Sequence, residues 1–301
     1  MVKFRDLLLC ATLLLAIACG GNTTERDFRS RVVDINEKSV NVITHRADWR
    51  NHPENSINAI KSAIEMGADM VEIDLKRTSD GVFILMHDLT LNRTTTGSGR
   101  ASDMTMEQIS ELYLRNGCAI KTNNRVPTLE EALAVTKGKI MVNIDHAYDY
   151  FPEIYPILER LGMVDQVVLK GTKSIEQVAE DLEQYPTPIL YMPIISLDDA
   201  NASEQIDLWL NYKNPPFAFE LLFKDDSNPL PKEMVERLNG RAKIWYNTLW
   251  STLCGGHDDD MAVEDIDGAY GYIIDTLGAS MIQTDRPQYL IDYLKRRGEH
   301  R

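Results

Sequence analysis

From residue 41 onward the chain alternates short apolar runs with amphipathic stretches, and this alternation restricts its fold more than any other feature. The strand-like runs are Asn41–His45, Met70–Leu75, Val82–His87, Lys139–Asp145, Gln166–Lys170, Ile189–Ile195, Phe217–Leu222, Lys243–Thr248 and Met281–Thr284. Between most of them apolar residues recur at helical spacing. Asn55–Met66 sets Ile57, Ile60 and Ile64 on one face and stops at Gly67. Met104–Leu114, Thr128–Thr136, Pro152–Leu161, Ile175–Gln184, Glu204–Asn211, Lys232–Asn239 and Pro287–Arg296 read the same way. Strand–helix alternation over about 250 residues predicts an α/β chain forming one TIM-type (β/α)8 barrel, a single domain over 39–301. The Met104–Leu114 region falls in an insertion between strand candidates 3 and 4. Nine candidates are one more than a barrel uses, which keeps a doubly wound sheet open. There is, however, no glycine-rich turn of the dinucleotide-binding kind.

The first residues belong to targeting. Lys3 and Arg5 precede the apolar run Leu7–Ala18, too short to span a bilayer but suited to an export signal. The run closes on Leu15-Ala16-Ile17-Ala18-Cys19-Gly20, which resembles a bacterial lipobox. Residues 1–18 are therefore expected to be a lipoprotein signal peptide, Cys19 a lipidated membrane anchor, and 19–38 a polar tether. The expected location is the bacterial cell envelope, exported and lipid-anchored on the periplasmic side or the cell surface. Cys118 and Cys254 remain, and in an oxidising compartment they either pair or stay separate thiols. With 32 Lys+Arg against 46 Asp+Glu, the chain has a net charge of −14. That balance excludes a protein that tracks nucleic-acid phosphates, which needs clustered cations. No protein partner is indicated.

Polar residues gather where the strand candidates end. His45-Arg46 closes the first, Glu72-Ile73-Asp74 the second, His87-Asp88 the third and Asp145-His146 the fourth. In a barrel these C-terminal strand ends face the active site. The two-residue strand period sends Val71, Ile73 and Leu75 one way and Met70, Glu72 and Asp74 the other. Carboxylates sharing a face repel one another unless a cation lies between them. Glu72, Asp74 and Asp145 offer hard oxygen ligands suited to one divalent cation, Ca²⁺ or Mg²⁺. Two histidines flanking such a group suit general acid–base chemistry near neutral pH.

His45-Arg46-Ala47, Pro53-Glu54-Asn55-Ser56 and Glu72-Ile73-Asp74 closely resemble the glycerophosphodiester phosphodiesterase family. The resemblance continues through Thr78-Ser79-Asp80-Gly81, His87-Asp88, Leu91–Gly97, Val126–Glu131 and Asn143-Ile144-Asp145, and ends at Thr284-Asp285-Arg286-Pro287. It implies a TIM-type barrel that uses one divalent metal to hydrolyse glycerophosphodiesters to an alcohol and sn-glycerol 3-phosphate. By the same resemblance His45 and His87 are the acid–base pair and Arg46 binds the phosphate. Glu72, Asp74 and Asp145 hold the metal.

The chain departs from the family pattern at three places. Ala47 stands where the family has glycine, Asp145 where it has glutamate, and Ala147 where it has a phosphate-binding lysine. Lys170, ending the neighbouring strand, either supplies that missing cation or snorkels into water. Two rival classes remain: a phospholipase C- or D-type lyase that leaves a cyclic phosphate, and a non-catalytic phosphodiester-binding lipoprotein. His257-Asp258-Asp259-Asp260 is expected to be a solvated loop, and Asn55 to cap the helix that follows it. Trp245 fits either the core or the substrate site. Glu220, inside an apolar strand, either faces the barrel mouth or pairs with a cation, because a buried unpaired carboxylate is costly.

Overall fold

The computed structural model describes residues 23–300, so the expected signal peptide and Cys19 lie outside the described residues. The chain opens with α1 (Thr23–Val33), followed by β1 (Asn41–Thr44), α2 (Ile57–Met66), β2 (Met70–Arg77) and β3 (Phe83–Leu85). Next come α3 (Met106–Ser110), β4 (Tyr113–Arg115), β5 (Lys121–Arg125), α4 (Leu129–Thr136), β6 (Met141–Asp145) and α5 (Phe151–Leu161). The second half runs β7 (Val167–Gly171), α6 (Ile175–Leu182), β8 (Leu190–Ser196), α7 (Ala202–Leu210), β9 (Ala218–Leu222), α8 (Leu230–Leu238) and β10 (Lys243–Asn247). It ends with α9 (Asp259–Glu264), α10 (Tyr272–Asp275), β11 (Met281–Thr284) and α11 (Pro287–Arg297).

Strands β1, β2 and β6 to β11 pair in parallel, and β1 touches both β2 and β11, which closes the barrel. The surplus strand candidate is β3. It runs antiparallel to the end of β2, with Leu75 opposite Leu85 and Arg77 opposite Phe83, and is no stave of the barrel. The insertion that begins with it therefore leaves the barrel after the second stave. It has its own small core, in which Ile84, Met86, Leu91, Ile109 and Leu114 are buried.

The expected helix Met104–Leu114 is cut to five residues. Thr105 and Gln108 form a capping box that starts it. Leu112 then folds over Gly97, where a Cβ would come within 2.5 Å of Leu112 Cδ1, and Thr95 bridges Leu114. Tertiary pairing overrides the helical spacing here.

Side chains alternate as the strand period requires. Val71, Ile73, Val142 and Ile144 pack outward under the helices, while Ile43, Met70, Met141, Val168, Met192, Trp245 and Met281 fill the barrel interior. The stretch expected as a tether contains α1, whose Phe28 and Val32 join that interior cluster and close the floor of the barrel. Arg29 pairs with Asp165 at 2.6 Å and Arg31 with Asp69 at 3.1 Å, both at the N-terminal ends of strands. Lys243 Nζ donates to the Arg31 carbonyl at 2.8 Å and to Asn41 at 2.7 Å, and burial pushes its pKa down to about 8. Phe28→Ala should therefore destabilise the barrel by about 3–5 kcal/mol. A denaturant melt indistinguishable from wild type would show that α1 does not bear on the core.

Cys118 is exposed and Cys254 buried, and both are free thiols. Among the described residues no helix is long and apolar enough to cross a membrane.

Candidate active site

The carboxylate trio is built by register. Glu72 lies opposite Asn143 and Asp74 opposite Asp145 across the β2–β6 pair, so the inward phase sets Asp74 beside Asp145 with Glu72 two residues earlier on β2. Oxygens of Glu72, Asp74 and Asp145 lie within 4.8 Å of one another, and together they can hold a metal ion. Glu72 and Asp74 are 2% and 1% exposed, leaving little water to screen their repulsion. Burial, then Asp74 and Asp145, raise the Glu72 pKa well above the usual carboxylate value. Burial also works against the Asp145 charge, but Lys170 and His146 outweigh it and hold that carboxyl below its usual range. A site that strains to keep three charges together suits a hard divalent cation.

The loop after β1 turns sharply to reach this trio. Arg46 (φ 50°) and Ala47 (φ 62°) are both left-handed, a conformation that favours glycine. The Ala47 departure is thus a residue with a Cβ kept in a glycine-type turn. The turn aims the Arg46 amide at Glu72 Oε2, 2.7 Å away, and the Ala47 amide at the Glu72 carbonyl. The Arg46 guanidinium reaches Glu54 at 3.3 Å and Asp74 at 3.7 Å. Asn55 does not cap α2 as expected. Ser56 does, accepting from the Ala59 amide, while left-handed Asn55 donates to Asp74 Oδ2 at 2.7 Å and accepts the Asp74 amide at 3.0 Å.

Each histidine is fixed through Nδ1 by an aspartate. His45 Nδ1 lies 2.7 Å from Asp285, which also accepts from the Trp49 indole at 2.6 Å. His87 Nδ1 lies 2.8 Å from Asp88. Arg93 grips Asp88 with two hydrogen bonds and turns its other edge to Glu54, so His87 and Arg46 belong to one polar network. The Arg93 hydrogen bonds hold the Asp88 carboxyl well below the usual range. Both imidazoles thus keep Nε2 for the site, the geometry a general acid–base pair needs.

Lys170 is turned into the barrel and does not snorkel. Its side chain is 7% exposed and lies 3.1 Å from Glu220, which gives Glu220 the cation pairing that is one of its two readings. Burial opposes the charge, but Glu220, Asp145 and Glu72 together raise the Lys170 pKa. Asn247 donates to Glu220 at 2.7 Å and accepts from the fully buried Trp245, which sits in the core cluster. Ala147 is buried in the outer core cluster. A cleft of about 450 Å³ opens beside Asp145, lined by His146, Tyr148, Lys170, Lys173 and Ile194.

Several supporting residues escaped sequence reasoning. Asp259 is buried, contrary to the solvated loop expected of its run. It accepts hydroxyl bonds from Thr248, Tyr270 and Thr284, and the Asp285 amide at 2.6 Å. His257 stacks on Tyr272 and bonds Asp226 and the Gly268 carbonyl, and Asp260 pairs with Arg286. These side chains turn to separate partners, and Asp259 braces the loop that carries Asp285. Asp285 itself stood in the sequence only as part of the Thr284-Asp285-Arg286-Pro287 motif, directly after the last strand.

Fold and site together define a closed parallel barrel with two aspartate-backed histidines set over a carboxylate trio. The family model described as the glycerophosphoryl diester phosphodiesterase family matches residues 45–178, and one described only as a domain of unknown function matches residues 191–294. Over residues 45–178 the chain is thus similar to the glycerophosphoryl diester phosphodiesterase family. It is 46% identical over 167 residues to glycerophosphodiester phosphodiesterase 1 of Bos taurus, covering 49% of this chain and 50% of that protein. The chain spans about half the length of the curated relatives it matches first. A Parabacteroides distasonis glycerophosphoryl diester phosphodiesterase structure superposes with a TM-score of 0.74 at 22% identity, covering 90% of this chain and 92% of its own. An Oleispira antarctica phosphodiesterase, solved with the product sn-glycerol-3-phosphate, does so with a TM-score of 0.60 at 19% identity, covering 86% and 97%.

Proposed function

We propose that this protein hydrolyses glycerophosphodiesters to an alcohol and sn-glycerol 3-phosphate, with His45 and His87 as the acid–base pair. The observation that carries this reading is the pairing of two histidines, each tied back through Nδ1 to an aspartate, with a trio of acids at the same barrel mouth. Glu72, Asp74 and Asp145 would hold one divalent cation, which supplies positive charge to offset the charge gathering on the phosphoryl oxygens. Arg46 would bind a non-bridging phosphate oxygen, and Lys170 would add its charge from beside Asp145. One histidine takes the proton of the substrate hydroxyl next to the phosphodiester, and that oxygen attacks phosphorus. The other gives its proton to the departing alcohol. Water then opens the cyclic phosphate with the two roles exchanged. Lipidation of Cys19 would keep the protein on the bacterial envelope as a salvage enzyme.

The test is release of sn-glycerol 3-phosphate from a panel of glycerophosphodiesters by the purified chain with Ca²⁺, with Mg²⁺ and with chelator. Metal-dependent release is expected, together with slow reaction of an analogue lacking the adjacent hydroxyl. A cyclic phosphate that accumulates as the end product would point to a lyase. No turnover of any diester by folded, metal-loaded protein would sink the reading.

A further inference from the structure

His146 has no part in the scheme above, yet it stands at its centre. It follows Asp145 at the end of β6 in a left-handed conformation, φ 59°, which is costly for a residue with a side chain. That turn brings its ring against the ring of His87, with centroids 6.0 Å apart at 60°. One ligand atom each from Asp74, His87 and His146 lie within 4.8 Å of one another. We propose that these three residues form a second cation site, which takes a borderline metal such as Zn²⁺ and silences the enzyme when filled.

The donors separate this site from the carboxylate trio. Three carboxylates favour Ca²⁺ or Mg²⁺, whereas two imidazoles and a carboxylate favour Zn²⁺ or Co²⁺. Asp74 belongs to both groups, and Asn55 fixes its Oδ2, which holds the carboxylate still between them. His87 is already arranged as a ligand. Its Nδ1 faces Asp88, which Arg93 pins in turn, so Nε2 is the nitrogen open to an ion, and a carboxylate behind the ring strengthens it as a donor. The His146 side chain is 51% exposed, so an ion can enter from the mouth. An ion on His87 Nε2 occupies the lone pair that would otherwise carry a proton. The silencing therefore rests on the proposed role of His87, while the site itself does not.

The experiment uses the full-length chain in detergent with saturating Ca²⁺. Zn²⁺ is followed by calorimetry and Co²⁺ by its visible absorption. The expected result is one equivalent of Zn²⁺ bound with Ca²⁺ retained, and Co²⁺ bands typical of nitrogen ligation. His146→Asn should weaken Zn²⁺ at least tenfold and remove those bands, with Ca²⁺ binding unchanged as the control for folding. Micromolar Zn²⁺ should inhibit wild-type turnover and inhibit the variant at least tenfold less. One-for-one displacement of Ca²⁺ by Zn²⁺, or equal Zn²⁺ affinity in the variant, overturns the site. Full turnover with the site filled overturns the silencing. A chain that hydrolyses no diester but binds Zn²⁺ through His146 leaves the site standing and refutes the proposed reaction instead.

Discussion

Replacing either His45 or His87 with alanine should lower turnover by roughly two to four orders of magnitude, the usual share of one general acid or base. The loss should fall on kcat more than on KM, because in the proposed reaction Arg46 and a cation on the carboxylate trio, not the imidazoles, would bind the phosphate. Each ring is oriented by its own aspartate, so Asp285→Asn and Asp88→Asn should give smaller losses in the same parameter and shift its pH profile. Ca²⁺ binding measured by calorimetry should survive in all four variants. Turnover within threefold of wild type for either alanine variant would falsify the assignment of that histidine.

The second large effect is on stability. Lys170 and Glu220 face each other inside the barrel at 3.1 Å, with side chains 7% and 5% exposed. Removing one member of a buried pair leaves the other charge unpaired, at a cost of about 3–5 kcal/mol. Lys170→Met should therefore melt at markedly lower denaturant than wild type, and the double variant Lys170→Met, Glu220→Gln should recover most of the loss. Lys170→Met should also raise KM, because its charge lies next to Asp145 and Glu72. If the single and double variants melt alike, the pair does not stabilise the barrel.

What the sequence revealed, and what it concealed, follow from the range of each interaction. The staves were legible because strand phase is local: Glu72 and Asp74 alternate with Val71 and Ile73, and the acids do point inward. Helices α2, α4 and α5 were legible for the same reason. β3 was read as a stave because its apolar run says nothing about its antiparallel partner. β5 was missed because Lys121–Arg125 has no apolar side to show. Around the site, His45, His87 and Asp145 announced themselves at strand ends. Asp88 showed beside His87, but the tasks of Asp285 and Asp259 did not, since Asp285 is 240 residues from His45, and Asp259 is 26 residues from the amide it holds. Asn55 illustrates the limit in small. Its sequence context suits a helix cap, but a left-handed backbone and an acid 19 residues away give it another task.

Helix α1 carries a consequence for how the molecule would be presented. Phe28 and Val32 close the barrel at the end opposite the histidines. Three residues separate Cys19 from Thr23 at the start of α1, a reach of roughly 14 Å at most. A lipid on Cys19 would thus root the protein by its stoppered base, with the reaction chamber opening outward like a cup standing on a table. Such a cup gathers what is dissolved above it. Its diesters would arrive from solution, already stripped of their acyl chains, and the sheet of lipid beneath would serve only as its footing.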